Sequence, residues 1–326
     1  MSVRITATSG IAALAVIGLA AVTACSSGSS SSSSSAPAST AGASASGGAS
    51  NPLGGGSSSG SVVIGSANFP ENEVLAEIYA LALKAKGVKV TTKLNIGARE
   101  VYYPQVKSGA ITIIPEYNGT LLTVEADPSS TAKTTAAVDA ALAAKLPSTL
   151  TVLQPAPAQD SDAITVTAAT AAKYHLKTIA DLKPYASSMV LGGPPEFKTR
   201  SDSIAGIKST YWLTFKSFDP LDESGPITLA ALTGGKVQAA DVFTTTPQVV
   251  TDKLVSLADP KNNFAAQNVI PLVYKPALTS TISSTLNAVD AKLTTTALLQ
   301  LDNAVITNKV NYTTAAQGFL SAVGLG

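Results

Sequence analysis

The side chains best suited to chemistry follow a short apolar run at residues 111–114, which is typical of a buried strand. Within the next six residues the chain offers a carboxylate, an aromatic ring, an amide and a hydroxyl, carried by Glu116, Tyr117, Asn118 and Thr120. Pro115 and Gly119 are expected to end the strand here. Ligands of open α/β sheets bind just beyond the carboxyl ends of strands. The stretch therefore predicts a binding edge, although such residues also occur at strand ends that bind nothing.

Other kinds of site lack the residues that they need. His175, expected in an exposed loop or helix end, is the only histidine, and Cys25 is the only cysteine. This excludes Cys/His nucleophilic sites and His-rich metal sites. No spacing typical of a glycine-rich nucleotide loop occurs, so we expect neither a metal nor a cofactor. A carboxylate pair, Glu116 with Asp162 or Asp241, still leaves a carboxylate-dependent hydrolase open.

Composition narrows the class of protein further. The chain has 326 residues, of which 13% are charged, and its net charge is +1. Its length is sufficient for two domains. A nearly neutral chain without a basic run lacks the electrostatic signature of nucleic-acid binding. We therefore predict no nucleic-acid partner.

Residues 1–24 are typical of a signal peptide. Arg4 is their only charge, and the apolar stretch at 11–22 is too short for a comfortable membrane span. Val22-Thr23-Ala24-Cys25 resembles a bacterial lipobox, in which the cysteine thiol is acylated. We expect anchoring through Cys25 to the outer face of the bacterial cytoplasmic membrane. An ordinary secreted protein with an unmodified cysteine is the alternative.

Residues 26–60 consist almost entirely of Ser, Gly, Ala, Pro and Thr and carry no charge. Such a composition cannot bury enough apolar surface to fold. Residues 25–60 are therefore predicted to be a lipidated cysteine followed by a disordered tether.

From residue 61 onward, strand and helix patterns alternate. Strands at 62–65, 89–94 and 111–114 are separated by two helices, the first with Asn68 as its N-cap residue and the second starting at Ala98. This βαβαβ order predicts a parallel sheet with right-handed crossovers.

A second set of strands and helices follows, with strands at 163–167, 189–192 and 237–243. The chain is then expected to return for a strand at 269–274 and helices over 278–322. We predict an α/β fold with two lobes, a hinge and an interlobe cleft. Lobe I comprises residues 61–161 and 266–326, and lobe II comprises residues 162–265. Two lobes with two crossings form a hinged clamp, a common way to enclose a small molecule.

Sequence blocks along residues 62–326 resemble the quaternary-amine osmoprotectant substrate-binding proteins, which serve ABC importers of glycine betaine, choline, carnitine and related solutes. The blocks occur in family order and lie at residues 64–72, 75–79, 97–104, 107–109, 115–120, 193–200, 240–245, 259–262 and 265–273. The resemblance implies a type II periplasmic-binding-protein fold in which both chain ends build the first lobe.

The resemblance also implies a ligand site. A trimethylammonium group cannot donate a hydrogen bond and is held by aromatic faces, whereas a carboxylate binds N–H donors or arginine. By resemblance, Tyr117 and Phe243 match rings from opposite lobes, and Thr120 matches a polar residue at the pocket edge. Arg200, or Lys198 in a shifted register, lies where the family places a polar contact.

Three further candidates come from the same blocks. Asn68 lies beside the family's first pocket position, which is Ala67 here, and Glu196 and Thr244 lie in the two matching blocks of lobe II. The positions of two further box tyrosines are occupied by Leu221 and by Asp162 or Ser161. Asp162 would then pair with a cation in place of a ring.

The resulting prediction is an extracytoplasmic solute-binding lipoprotein of an ABC importer, not an enzyme. It is expected to bind a small osmoprotectant as a monomer and to deliver it to permease and ATPase subunits. Two rings suit either a quaternary amine or a more polar solute such as proline or ectoine. A solute-sensing or cell-envelope interaction protein on the same fold is the alternative.

Overall fold

The computed structural model describes residues 61–326, which form one compact unit built around two five-stranded sheets. The predicted signal peptide, the lipidated Cys25 and the tether lie outside the described residues. Within residues 61–326, no helix is both long enough and apolar enough to cross a membrane.

The first sheet has the strand order β2-β1-β3-β10-β4. Its strands are β1 (Val62–Gly65), β2 (Val90–Lys93), β3 (Ile113–Tyr117), β4 (Leu150–Val152) and β10 (Val269–Tyr274). Strand β1 is parallel to both β2 and β3, as the βαβαβ order predicts, and β10 runs antiparallel between β3 and β4. The late part of the chain therefore completes the sheet that the early part begins.

The second sheet has the order β7-β6-β8-β5-β9 and is drawn from residues 164–256 alone. Its strands are β5 (Ile164–Thr167), β6 (Val190–Gly193), β7 (Ser217–Pro220), β8 (Ala239–Asp241) and β9 (Leu254–Ser256). Strand β6 pairs in parallel with β7 and β8, and β5 pairs in antiparallel with β8 and β9. Two separate sheets confirm the two-lobed α/β architecture.

Eleven α-helices are present in residues 61–326, and most of them connect or cover the strands. They are α1 (Pro70–Ala85), α2 (Arg99–Lys107), α3 (Asn118–Thr120), α4 (Thr135–Lys145), α5 (Ala168–Tyr174), α6 (Ile204–Tyr211), α7 (Pro226–Thr233), α8 (Gln248–Thr251), α9 (Ser280–Asp290), α10 (Thr295–Asp302) and α11 (Tyr312–Ala322). Two π-helical segments, Leu121–Ala126 and Asn303–Thr307, follow α3 and α10.

Each sheet has its own apolar core. Helix α1 is the centre of the first core, because its apolar side chains recur at helical spacing and are fully buried against α9, α10 and α11. The Tyr79 hydroxyl on α1 donates to the buried Asp290 carboxylate at 2.9 Å, which ties α1 to α9. Leu191, Phe197 and Ile207 lie in the second core.

The start of α1 differs from the prediction. Phe69, with extended backbone angles, occupies the N-cap position, and Asn68 is exposed and caps nothing. The reason is Pro70 at the first helical position, which holds the residue before it in an extended conformation. Asn72 supplies the local order instead, since its side chain accepts from the Ala67 N–H and donates to the Pro115 carbonyl.

Strand β3 also runs further than predicted. It continues through Pro115 to Tyr117, with Pro115 opposite Pro271 on the antiparallel neighbour β10. The Asn118 and Tyr274 N–H groups donate across this ladder, which places the two prolines between hydrogen-bonded pairs. Neither strand needs an N–H at that position, so the prolines do not interrupt the pairing. As a result Tyr117, not Ile114, ends the strand.

Candidate functional site

A small cavity, of about 30 Å³, lies where the two sheet-bearing parts of the chain meet. It is lined by Phe69, Arg99, Tyr117, Thr120, Asp160, Asp162, Arg200, Glu223, Phe243 and Gln267. We call it the first cavity. Tyr117 ends β3, and Phe243 follows β8, so each sheet presents a ring at a carboxyl end of a strand, as expected for an open α/β sheet.

Five of the eight predicted site residues line the first cavity: Tyr117, Thr120, Asp162, Arg200 and Phe243. The structure does not bring the other three to it. Asn68 and Glu196 line a separate surface groove. Thr244 lies beside the cavity at the crossing between the lobes, where its hydroxyl accepts from the Ser161 N–H and donates to Asp160. A role in ligand binding remains a prediction for all eight.

Sequence reasoning missed a third ring in the wall. Phe69 lies between the two predicted rings, with centroids 6.0 Å from Tyr117 and 5.3 Å from Phe243. The Phe69–Phe243 pair is edge-on, at an interplanar angle of 62°. The available signal was the position of Phe69 directly before Pro70, since an extended residue at a helix start can direct its side chain away from the helix.

The ring of Tyr117 is held by its hydroxyl. That hydroxyl donates to Glu71 Oε1 at 2.5 Å, and Thr245 Oγ1 donates to Glu71 Oε2 at 2.7 Å. Burial raises the pKa of Glu71 well above its usual range, and burial likewise raises the pKa of Tyr117. The hydroxyl is therefore engaged with the protein, and the ring face is the part of Tyr117 available to a ligand.

Glu116, which the sequence leaves open as one member of a carboxylate pair, is engaged by Arg99 and Tyr102. Its buried carboxylate receives Arg99 Nε at 3.0 Å and Nη2 at 2.8 Å, and the Tyr102 hydroxyl at 2.7 Å. Burial alone would lower the pKa of Arg99, but the combined effect of Glu116 and Tyr102 raises that pKa. Glu116 thus positions Arg99 at the cavity wall.

Arg200 is held in a comparable way from the other lobe. Its Nε and Nη2 donate to the two carboxylate oxygens of Glu100, each at 3.1 Å. Neither Arg99 nor Arg200 uses its Nη1 in a hydrogen bond with any residue of 61–326. Two guanidinium groups with a free nitrogen at one cavity suit a ligand carboxylate.

Acidic side chains balance the two arginines. Burial, with a smaller contribution from Asp202, raises the pKa of Asp162 to about 6. Burial raises the pKa of Glu223 to about 7, against the opposing effect of Arg200 and Arg99. Asp162 and Asp241 lie within hydrogen-bond reach of each other, and burial together with Asp162 raises the pKa of Asp241. The pair can share a proton, which limits the negative charge that faces a ligand.

Thr120 is fixed by a residue that lies far away in the sequence. Its N–H donates to Gln267 Oε1 at 3.0 Å, and Gln267 Nε2 donates back to the Thr120 hydroxyl. Gln267 lies two residues before strand β10 of the first sheet. Gln267 lies in the sequence block at 265–273, but its contact at the cavity is with a residue 147 positions earlier, and the block does not predict that contact. Among residues 61–326, no cluster of three or more His, Cys, Asp or Glu side chains is arranged to hold a metal ion.

Residues 60–322 match the family model of the substrate binding domain of the ABC-type glycine betaine transport system. The glycine betaine-binding protein YehZ of Escherichia coli (strain K12) is 26% identical over 276 residues, which cover 81% of this chain and 90% of that protein.

Solved structures share the fold. A glycine betaine/carnitine/choline ABC transporter structure superposes with a TM-score of 0.64 at 22% identity, covering 81% of this chain and 99% of that one. Lactococcal OpuAC, in its closed conformation with glycine betaine, superposes with a TM-score of 0.57 at 16% identity, covering 80% and 95%. The predicted periplasmic-binding-protein fold is confirmed by these superpositions.

Proposed function

Because this chain belongs to the family of substrate-binding domains of ABC-type glycine betaine transport systems, we propose that it binds a small osmoprotectant in the first cavity and delivers it to a permease. Glycine betaine, carnitine, choline and proline are the candidate ligands. The observation that supports this most is the three-ring wall of Phe69, Tyr117 and Phe243 beside the free Nη1 groups of Arg99 and Arg200.

The chemistry of that wall favours a zwitterion. Each aromatic face contributes about 0.5–2 kcal/mol to binding a quaternary ammonium group, and two guanidinium groups can receive the carboxylate at the other end. Choline has no carboxylate and would leave the arginines without that contact. Glycine betaine and carnitine therefore fit the arrangement better than choline.

Ligand entry requires the two lobes to separate. A cavity of about 30 Å³ has room for little more than a water molecule, so the ligand enters a more open state and the lobes then close on it. Tyr117 and Phe243 come from different lobes, and contacts made only in the closed state provide the differential affinity that drives closure. No bond is made or broken, and we propose a receptor and not an enzyme.

The proposal also covers the location of the protein. Cleavage after residue 24 and acylation of Cys25 would hold a monomeric receptor at the outer face of the cytoplasmic membrane. Residues 26–60 separate Cys25 from the folded part, and a linker of this length would allow the folded part to meet a permease in the same membrane. The ATPase subunits would act on the opposite side.

A thermal-shift and calorimetry screen of the purified protein tests the ligand assignment. Glycine betaine, carnitine, choline, proline and ectoine are compared with a sugar and an aromatic acid. A ligand at 100 times its Kd should raise the free energy of unfolding by about 2.7 kcal/mol.

Matched variants then locate the site. Phe69→Ala and Phe243→Ala should each weaken glycine betaine binding about tenfold or more. Trp212→Ala, which removes a ring that is 69% exposed and lies outside the cavity, should leave binding unchanged. Binding of the sugar and of no zwitterion would overturn the assignment.

A further inference from the structure

The C-terminal end of α6 carries an exposed aromatic ring that lies outside the first cavity. Trp212, the only tryptophan of the chain, ends this helix in a left-handed backbone conformation, with φ at 54°, and its side chain is 69% exposed. Glycine is the usual residue in that conformation, and a bulky side chain is uncommon there. The neighbours Tyr211 and Leu213 are buried. Trp212 is therefore the one ring at this helix end that the core does not hold.

Two lysines from separate segments are directed at this ring. The ammonium nitrogen of Lys261 lies 4.7 Å from the centroid of the Trp212 ring, and that of Lys183 lies 5.1 Å from it. The Lys261 ammonium group also donates to the Thr210 carbonyl at 2.9 Å. Cation–π contacts of this kind hold the charges beside the ring. We call Trp212, Lys183 and Lys261 the tryptophan–lysine patch.

The positive charge of the patch is not neutralised by ion pairs. Within residues 61–326, neither Lys183 nor Lys261 forms one. The acids nearest to them in the sequence are Asp181 and Asp259, and both carboxylates are already engaged. Asp181 accepts from two backbone N–H groups, and Asp259 accepts from one backbone N–H and from the Tyr211 hydroxyl. The two ammonium groups therefore suit an anionic partner.

Further positive charge lies close to the patch. Lys208 is an exposed residue of α6, four positions before Trp212. Lys216 is also exposed, and its N–H donates to the Ala186 carbonyl at 3.2 Å, which places it beside the segment that follows Lys183. The region around the exposed ring is thus rich in lysine.

The composition of the patch distinguishes a lipid surface from a protein partner. A protein interface has an apolar core made of several side chains. The other exposed large apolar side chains of residues 61–326 lie on other helices, at Val101, Ile227, Val250 and Leu299. A single tryptophan ring beside lysines is what the headgroup region of a bilayer accommodates, because the ring lies at the headgroup level and the lysines lie near anionic phosphates.

We propose that the tryptophan–lysine patch docks on an anionic phospholipid surface, with the Trp212 ring among the headgroups and with Lys183 and Lys261 against lipid phosphates. The inference rests on the proposed function through the anchor at Cys25, which would keep the patch near a membrane. A ring and two lysines bind a bilayer weakly by themselves, and stable attachment takes two signals. The anchor is the first signal and the patch is the second, which orients lobe II toward the membrane.

The fluorescence of Trp212 tests the proposal, because the chain has no other tryptophan. The chain from Cys25 to Gly326 is coupled through its single cysteine to a maleimide-bearing lipid in vesicles. Vesicles of phosphatidylcholine alone are compared with vesicles of equal parts phosphatidylcholine and phosphatidylglycerol. On the anionic vesicles the emission should shift to shorter wavelength and be quenched by brominated lipids. Emission that is the same on both kinds of vesicle, or that brominated lipids do not quench, would overturn the proposal.

Lysine variants assign the docking to the patch. Lys183→Gln and Lys261→Gln should each lower the ratio of docked to undocked protein about fivefold. Each spectrum is compared with that of the same variant in solution, because the substitution itself changes the surroundings of the ring. Lys84→Gln removes the same charge from an exposed position of α1 and should leave the ratio unchanged. If Lys84→Gln lowered the ratio as much as Lys183→Gln, net charge and not the patch would govern docking, and the inference would be wrong.

Two further outcomes separate this inference from its alternatives. Emission that changes only on vesicles that also carry the permease would assign the patch to a protein surface and overturn the lipid proposal. The maleimide coupling supplies the anchor chemically, so a lack of acylation in the cell would concern the proposed location alone. Glycine betaine affinity should be unchanged in Lys183→Gln, because the patch lies outside the first cavity. A wild-type protein that docks but does not bind glycine betaine would contradict the proposed function and leave this inference intact.

Discussion

At the scale of single residues, Tyr117 combines two roles that can be separated. Its ring contacts Phe69 at the first cavity, while its hydroxyl satisfies the buried Glu71. Tyr103 provides a contrast on α2, because its buried hydroxyl has no hydrogen-bond partner within residues 61–326. Replacing each tyrosine by phenylalanine therefore removes a hydrogen-bonded hydroxyl at Tyr117 and a hydroxyl without a hydrogen-bond partner at Tyr103.

Tyr117→Phe is expected to lower the free energy of unfolding by about 1–3 kcal/mol, because Glu71 loses a donor while remaining buried. Tyr103→Phe should leave stability unchanged or raise it. Urea denaturation of both variants measures the difference. Glycine betaine affinity should fall less in Tyr117→Phe than in Tyr117→Ala, because the ring remains. Equal stability of the two phenylalanine variants would contradict the assigned role of the Tyr117 hydroxyl.

The residues of the first cavity show which site residues can be predicted from the sequence and which cannot. Tyr117 and Phe243 were predicted because motif blocks carry them, and the structure brings both to one cavity. Phe69 and Arg99 lie within the same blocks but were missed, since their side-chain directions depend on Pro70 and on the buried Glu116. Gln267 also lies in a block, but its contact with Thr120 spans 147 positions, and the block does not encode that contact.

At the scale of elements, the alternation of strands and helices was predictable from the sequence, whereas the shortest strands were not. Strand β10 has the predicted bounds, Val269–Tyr274, because it has a clear apolar pattern. The three-residue strands β4 and β9 have too few residues for a pattern, and they form because β10 and β5 offer them an edge. The extension of β3 beyond Pro115 likewise depends on its register with Pro271.

Gly119, at the turn from β3 into α3, is a position where the backbone approach leaves no space for a side chain. A Cβ there would collide with the carbonyl oxygen of Ala266. Gly119→Ala should therefore lower the free energy of unfolding by about 1–3 kcal/mol through overpacking. Thermal and urea denaturation would measure this change.

The matched control is Gly318, in the middle of α11, where a Cβ would meet no atom within 4 Å. Gly318→Ala should raise stability by about 0.5–1 kcal/mol, because alanine loses less backbone entropy in a helix. If both alanine variants changed stability in the same direction, the close approach of Gly119 to Ala266 would not explain why glycine is needed at position 119.

At the scale of the whole molecule, carboxyl groups are concentrated where the two lobes meet. Burial raises the pKa of Asp162 to about 6 and the pKa values of Glu223 and Asp302 to about 7. The corresponding values in an unfolded chain are near 4. At a pH between about 4 and about 7, these carboxyl groups hold more protons in the folded protein than in the unfolded chain. The free energy of unfolding should therefore fall as pH rises from about 4 to about 7.

Urea denaturation across pH 4–8 measures this fall. Glu223→Gln should flatten the curve between pH 5 and 7, because it removes one of the groups that titrate there. Asp181→Asn should not, because its exposed carboxylate has a pKa lowered by the Lys177 and Thr178 N–H groups and titrates below this range. A stability that rises steadily from pH 5 to pH 7 would contradict the burial of these acids.

Polar contacts between the two lobes determine how easily the clamp opens. Arg200 pairs with Glu100, Asp202 accepts from the Thr123 hydroxyl at 2.6 Å, and Thr245 donates to Glu71. The Arg200–Glu100 pair is the most accessible of the three, since Glu100 is 44% exposed. It can be weakened without touching the aromatic wall of the first cavity.

Glu100→Gln should shift the unliganded protein toward a more open state, because it removes an ion pair that exists only while the lobes are in contact. A partly exposed pair contributes about 0.5–1 kcal/mol, so glycine betaine affinity should fall at least about two- to fivefold, because the closed state loses the pair and Arg200 loses the carboxylate that positions it. Small-angle X-ray scattering should show a larger radius of gyration without ligand and the wild-type value with it. Asp219→Asn is the matched control, because its partner Lys236 belongs to the same lobe and that pair does not bridge the cleft. If Asp219→Asn weakened binding as much as Glu100→Gln, the effect would come from surface charge and not from the interlobe pair.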